Sequence, residues 1–220
     1  SIVRNEIKEL VNHQDIIKTY TIIREGESIN SIFGYDYVGV NKANGNPIYR
    51  KADGALVQAD IATSTYKQYS EANPGDVTVP SSLVSADRKI LGSTIPKYFG
   101  SVGVKAEYKG FDFNVMFRYS GGNYVMNRTR NDLMNLKFQN NSTEILGRWQ
   151  SPENPGDGWT PRLWYAGDTF VNMDNNSSTR WVEKGNFIKL QTITIGYTFP
   201  KALLSKIGID NLRLFAQGQD

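Results

Sequence analysis

The sequence predicts an all-β chain, with antiparallel strands joined by connections of very unequal length. Three observations carry that expectation. The run Phe187-Ile188-Lys189-Leu190-Gln191-Thr192-Ile193-Thr194-Ile195-Gly196-Tyr197-Thr198-Phe199-Pro200 is rich in β-branched and aromatic residues. It exceeds the usual strand of about five or six residues and is long enough to cross a bilayer at a tilt, which takes about nine to eleven. Residues 98–120 alternate apolar and polar on both sides of Lys109-Gly110, the pattern of a hairpin. Finally, 12 Tyr, 10 Phe, 4 Trp and 20 Gly in 220 residues make an aromatic, turn-rich chain that favours strands.

In chain order, Ile7, Leu10 and Val11 stand at helical spacing and predict a short helix. Ile16–Ile23 reads as strand, broken at Gly26. Residues 31–40 form the next expected strand, with Phe33, Tyr35, Tyr37 and Gly39 on one parity. Residues 41–97 read as a long loop, weakly periodic over 55–86 and turning at Ala72-Asn73-Pro74-Gly75-Asp76. At its end, Asp87 and Arg88 are expected to pair locally and fix the loop's return.

The hairpin comes next. Val102, Val104, Ala106 and Tyr108 lead into the turn, and Phe111, Phe113, Val115, Phe117 and Tyr119 lead out of it. A two-residue loop sets Tyr108 opposite Phe111, so both apolar sets share one face. Lys is not a favoured first residue of a type I′ turn, which argues for a slightly longer loop. From residue 121 to about 185 no clear strand is evident, although Arg128 and Arg130 flank a candidate short helix at 131–138. In the strand at 187–199, Phe187, Ile193, Ile195, Tyr197 and Phe199 share a parity that Lys189 and Gln191 interrupt. Ile188 and Leu190 fall on the other parity, with Thr192, Thr194, Gly196 and Thr198. After Pro200, residues 201–208 read as a short helical turn stopped by Gly208, and residues 212–220 as a last strand.

Such a hairpin has two homes. In a soluble sandwich its apolar face is core. In an outer-membrane barrel that face meets lipid, and Tyr108 and Phe111 join an aromatic girdle. Loops beyond about 12–15 residues are uncommon in compact domains. A short turn at one end and a very long connection at the other is how outer-membrane barrels are built. The turn at Lys109-Gly110 is therefore expected to be periplasmic and residues 121–185 extracellular. No run of about eighteen apolar residues is present, so no transmembrane helix is expected; alternating barrel strands leave no such signal.

Composition narrows the function classes. A net charge of +3 with 21% charged residues points to no nucleic-acid partner. There is no Cys, which excludes disulfide and thiol chemistry, and the single His13 lies in a polar segment and reads as a surface side chain. With no second His, no glycine-rich phosphate loop and no clustered carboxylates beside a base, no enzyme and no cofactor are expected.

Several stretches together resemble one family, the SusC/RagA group of TonB-dependent outer-membrane transporters. The late-barrel signature is Asn186-Phe187-Ile188-Lys189-Leu190 followed by Thr194-Ile195-Gly196-Tyr197-Thr198-Phe199-Pro200, with Lys189 where Arg is usual. Gly45-Asn46-Pro47-Ile48-Tyr49, the Asp87–Pro96 run and Tyr108-Lys109-Gly110-Phe111-Asp112-Phe113 are similar to further family motifs. So are Arg148-Trp149, Pro155-Gly156-Asp157, Trp159-Thr160-Pro161-Arg162 and Leu212-Arg213-Leu214-Phe215, while Asp220 stands where Asn is usual. The resemblance covers most of residues 20–220, the late part of the family's barrel. Many members also carry an acidic calcium segment after residue 50, where this chain keeps only Asp53-Gly54 beside Lys51. One carboxylate cannot supply the six to eight oxygens of calcium, so no metal is expected.

The resemblance implies a large bacterial outer-membrane barrel, with strands near 31–40, 98–108, 111–120, 187–199 and 212–220 and long loops at 41–97 and 121–185. It implies an N-terminal plug, which these residues do not contain, and the start at Ser1 is read as internal to a longer protein. It further implies import of a glycan or peptide, a SusD-like surface lipoprotein as partner, drive from a TonB complex through the plug, and contact with outer-membrane lipid. The candidate ligand-binding residues are Trp149, Trp159, Trp164 and Tyr165, whose planes can stack on sugar rings or peptide backbone. The competing role for them is packing the loop on itself. The alternative function is a soluble all-β carbohydrate-binding module, which explains the aromatics and the alternation but not the long connections.

Overall fold

The computed structural model describes residues 1–134, 140–163 and 177–220. They fall into two compact units.

The first unit comprises Ser1–Arg4, Pro96–Asn123 and Lys184–Asp220. Its frame is a four-stranded antiparallel sheet of Tyr98–Tyr108, Phe111–Gly121, Phe187–Thr198 and Arg213–Gln219, adjacent in that order. Tyr108 pairs directly with Phe111, so the turn is the tight two-residue form and not a longer loop. Lys109 and Gly110 both take positive φ, 48° and 87°, as a type I′ turn demands. Lys109 accepts the left-handed conformation, and the carbonyl of Gly110 receives the amide of Thr198 at 2.7 Å, which ties the turn to the third strand.

Alternation sorts this sheet into two faces. One row runs Val104, Val115, Ile193, Gly218, and its neighbours are Ala106, Phe113, Ile195, Ala216 on one side and Val102, Phe117, Leu190 on the other. The opposite face carries Ser101, Lys105, Glu107, Asp112, Asn114, Arg118, Thr192, Thr194, Thr198, Arg213, Gln217 and Gln219, with Phe99, Met116, Phe187 and Phe215 as apolar exceptions. The parity reading of the third strand is corrected at one point. Met116 pairs with Thr192 but Phe117 pairs with Leu190, so Gln191 is an extra residue, a β-bulge. The bulge reverses the phase. Ile188 and Leu190 join Ile193, Ile195 and Tyr197 on the apolar face, while Lys189 and Phe187 move to the polar one.

The two ends of the apolar face are aromatic. At the turn end, the ring of Phe111 lies 4.5 Å from that of Tyr197, which in turn meets Phe199 edge-on at 4.9 Å. At the other end, Tyr119 lies across Gly100 and Tyr98 across Gly121, each on its directly paired neighbour. The interval from Phe111 to Tyr119 is about eight residues, or roughly 26 Å along the strand. Tilted by the usual 35–45°, it spans about 20 Å, near the height of a lipid-facing band. Val102, Val104, Tyr108, Phe111, Ile188, Ile195 and Leu214 are exposed on this face. Four strands make an open wall; a closed bacterial barrel needs about eight or more.

On the polar face, the Arg213 guanidinium grips the Asp112 carboxylate through Nε at 2.9 Å and Nη2 at 2.6 Å. The pair reaches across the third strand, over Gly196, where any Cβ would collide with both groups. This is the physical reason for glycine before Tyr197. Gly196→Ala is expected to part the pair at a modest cost, because the groups that must move are the far ends of two flexible side chains. A lowered temperature for loss of the compact, heat-modifiable band of the full-length protein on gels checks it.

The second unit comprises Asn5–Ile95 and Tyr124–Glu183. Residues 31–40 do not form one strand: Ser31–Gly34 and Asp36–Val40 belong to different sheets, with Tyr35 as the crossing point. The first joins Ile16–Ile17, Thr21–Ile23 and Lys89–Gly92. The second opens a five-stranded meander with Pro47–Arg50, Leu56–Asp60, Thr65–Gln68 and Pro80–Ser81. Residues 41–97, expected as loop, thus hold most of a sheet. These strands have two to five residues, too few to show an alternating period. The helix expected near residue 7 is only a 3₁₀ turn at Val11–His13. The helix expected at 131–138 starts earlier, at Arg128, because the Asn127 side chain caps it by accepting from the Arg130 amide at 2.9 Å; it is described over Arg128–Leu133, and residues 135–138 lie outside the described residues.

Candidate functional site

The second unit is organised around buried tyrosines. Tyr35, Tyr37 and Tyr49 pack with Val57 and Ala59, and Tyr66, Leu83 and Trp159 cover them. The meander turns so tightly because its polar residues are satisfied inside. Gln58 is fully buried. Its Oε1 accepts from the side-chain amides of Asn41 at 2.8 Å, Asn44 at 2.9 Å and Asn46 at 3.4 Å. Its Nε2 donates to the carbonyls of Gln68 at 3.2 Å and Asp76 at 2.8 Å. Five groups from three segments converge on one side chain.

Asp87 does not fix the loop by pairing with Arg88. Its carboxylate accepts the amides of Ala52 at 3.2 Å and Val84 at 2.8 Å, while Arg88 lies 4.8 Å over the Phe33 ring. Backbone amides hold the buried carboxylate, while the half-buried Arg88 turns to the ring.

Two of the four sequence-derived site residues are described. Trp149 donates its indole N–H to the Lys42 carbonyl at 2.8 Å, and its ring lies against Gly45. Trp159 stands edge-on to Tyr37, ring centres 4.8 Å apart, and its carbonyl accepts from the Tyr37 hydroxyl at 2.5 Å. Asp157 shapes the segment between them by accepting the amides of Trp159 at 2.7 Å and Thr160 at 2.6 Å. Both tryptophans thus pack the 147–162 segment onto the 36–46 hairpin, and both remain half-buried, with part of each ring open to solvent. Trp164 and Tyr165 lie outside the described residues.

A neighbouring group was not singled out as a site residue from sequence. Arg180 is buried, 4.3 Å over the Trp181 ring and 5.5 Å over Tyr37. Burial pushes its guanidinium below the ordinary arginine range, and the tyrosines Tyr37 and Tyr49 partly offset this. Burial also pushes the Tyr37 hydroxyl up, so it stays neutral and available as a donor to Trp159. The cation is held on aromatic faces. Its signal in the sequence was the dipeptide Arg180-Trp181, whose second member supplies one of the two rings.

In the first unit the polar face forms an open depression of about 680 Å³ near the turn, bordered by Lys105, Glu107, Asp112, Asn114, Thr194 and Arg213. Lys105 and Glu107 pair at 2.7 Å beside the Asp112–Arg213 pair. Among the described residues no three His, Asp or Glu converge as a metal site. A wall apolar on one side and hydroxyl-, amide- and charge-lined on the other can separate lipid from a wet interior.

No family model matches the chain. Curated relatives do. TonB-dependent receptor P3 of Formosa agariphila is 26% identical over 204 residues, 90% of this chain and 18% of the receptor. Receptor P39 of the same organism is 25% identical over 241 residues, 94% of this chain and 22% of its own length. Receptor P26 is 27% identical over 194 residues, covering 88% of this chain and 18% of that receptor. The likeness is to TonB-dependent receptors. It extends to solved structures of the RagAB system. The RagAB peptide transporter superposes with a TM-score of 0.68 at 20% identity over 98% of this chain, and the RagAB peptide importer in its open-open state with 0.66 at 17% over 97%. These matches cover 22% and 21% of the RagAB chains.

The SusC/RagA-type resemblance read from the motifs is borne out, and so is the fold class: antiparallel strands that match part of a larger barrel. The relatives are TonB-dependent receptors, and the structural neighbours are a peptide importer. The chain spans about a fifth of the length of the curated relatives it matches.

Proposed function

We propose that this chain is a late section of the barrel of an outer-membrane, TonB-dependent nutrient importer. The observation that carries the reading is the four-strand wall, apolar on one face and polar on the other, held in phase by the bulge at Gln191. The receptor relatives and the RagAB fold support it. In this reading the wall's apolar face meets lipid, the Lys109-Gly110 turn is periplasmic, and residues 121–185 are extracellular. The substrate is an oligosaccharide or peptide. A SusD-like surface lipoprotein covers the extracellular side, and a TonB complex acts through a plug outside these residues.

The whole native polypeptide tests this. Its intact mass in the outer-membrane fraction should be several times the 24.7 kDa of this chain, with a lipoprotein co-purifying. A species near 24.7 kDa in the soluble fraction would favour the soluble carbohydrate-binding module instead.

Trp149, Trp159, Trp164 and Tyr165 belong to the same proposal, as a surface presented to substrate or lipoprotein. Because Trp159 packs on the buried tyrosine cluster and Trp149 does not, Trp149→Ala is the cleaner probe. It is expected to lower uptake or lipoprotein binding by about tenfold, as loss of a stacked aromatic anchor does. Uptake and partner binding unchanged in all four Ala variants would remove the assignment.

A further inference from the structure

The connection between the third and fourth wall strands has the wrong surface for a turn in water. Pro200 starts it, Lys201–Leu204 is helical, Ser205–Ile207 continues as a 3₁₀ turn, and Gly208 ends it at φ 71°. Leu204 is 1% exposed and is the inward residue. Leu203 and Ile207, four apart and so on one face, are 58% and 66% exposed, and Ile209 is exposed beside them. A connecting turn exposed to solvent normally carries polar residues at such positions.

Charge and continuity say what covers it. Lys201 and Lys206 are exposed on the segment, against the single acid Asp210. At the same end of the sheet Lys109 holds its ammonium 5.2 Å over the Tyr108 ring. The segment follows directly on Phe199, the last member of the Phe111–Tyr197–Phe199 ring cluster that ends the apolar face. An apolar face flanked by cations and continuous with a lipid-facing band fits the boundary between headgroups and acyl chains.

We infer that residues 200–209, with Lys109, form an interfacial anchor that docks on anionic phospholipid of the leaflet at the turn side. Leu203, Ile207 and Ile209 enter the acyl boundary. Lys201, Lys206 and Lys109 meet phosphate oxygens. The inference rests on the barrel-wall reading above. Each lysine near an anionic surface should raise association by about fivefold.

The test uses the full-length protein in nanodiscs, with an environment-sensitive fluorophore on Leu203→Cys and, separately, on Val104→Cys at mid-wall. Lipids bearing a nitroxide near the headgroup should quench the Leu203 probe, and aqueous iodide should not. Phosphatidylglycerol in place of phosphatidylcholine should deepen that quenching, and adding Lys201→Gln and Lys206→Gln should abolish the gain. A Leu203 probe quenched by iodide alone lies in water, and one shielded from both quenchers lies under protein; either result overturns the anchor. Quenching with no dependence on anionic lipid overturns the phosphate contacts and with them the proposal. Acyl-chain nitroxides should quench the Val104 probe. If they do not, the wall reading fails and the anchor falls with it, whereas failure at Leu203 alone defeats only the anchor.

Discussion

Ile193→Arg should sharply reduce outer-membrane assembly of the full-length protein, while Thr194→Arg, one residue on, should leave it nearly intact. Ile193 sits mid-wall in the row Val104, Val115, Ile193, Gly218. Thr194 lies between Asn114 and Gln217 on the opposite face. An arginine facing the bilayer midplane of a barrel costs about 2–4 kcal/mol, whereas lumen substitutions mostly tune what passes. That cost is a large part of a marginal folding free energy. Abundance in the outer-membrane fraction and the heat-modifiable gel shift read both variants. Equal damage from the two would mean that both faces are packed, as in a soluble sandwich.

Gln58→Leu should be among the most damaging single changes in the second unit. It keeps the volume but removes the one acceptor shared by Asn41, Asn44 and Asn46 and the one donor to the Gln68 and Asp76 carbonyls. The Asn41 and Asn46 side chains are buried with it and cannot turn to water. Each buried group left unpaired costs about 1–3 kcal/mol, so a loss of roughly 3–5 kcal/mol follows after partial relaxation. The damage should appear as faster amide exchange at residues 41–46 and 70–78, with the wall strands unchanged. Gln58→Glu should be no milder, since its carboxylate keeps the asparagine donations but sets a buried charge against the Gln68 and Asp76 carbonyl oxygens. Uniform exchange across the unit in Gln58→Leu, equal to that of the parent, would show that the network is not what holds the 70–78 turn.

How far the fold could be read from the residues depended on the range of the forces involved. The hairpin at 98–121 was legible because alternation and a two-residue turn are local, and Tyr108 falls opposite Phe111 as expected. The lysine in the turn argued for a longer loop, but ladder pairing on both sides outweighed a left-handed non-glycine residue. The bulge at Gln191 was half-visible. Ile188 and Leu190 on one parity and Ile193, Ile195 and Tyr197 on the other is the mark of a phase reversal, and a strict period of two read it as an interrupted face. The strands in 41–97 were not legible, since they are short and held by a buried amide network whose members are far apart in sequence. The burial of Arg180 was invisible for a similar reason: Trp181 beside it was plain, but Tyr37, the other ring it meets, lies more than a hundred residues away. Trp149 and Trp159 were proposed as ligand residues from residue type. Their anchoring to Lys42 and Tyr37 needed the fold.

The central claim, that the four-strand sheet divides lipid from a wet interior with a phase break at Gln191, is tested most directly by a cysteine scan from Ile188 to Tyr197 in the full-length protein. Each variant is challenged in the outer membrane with a charged, membrane-impermeant thiol reagent. The account predicts labelling at residues 189, 192, 194 and 196 and protection at residues 188, 190, 193, 195 and 197, so that the alternation skips one step at Gln191. Unbroken alternation through residue 191, or protection at every position, would contradict it.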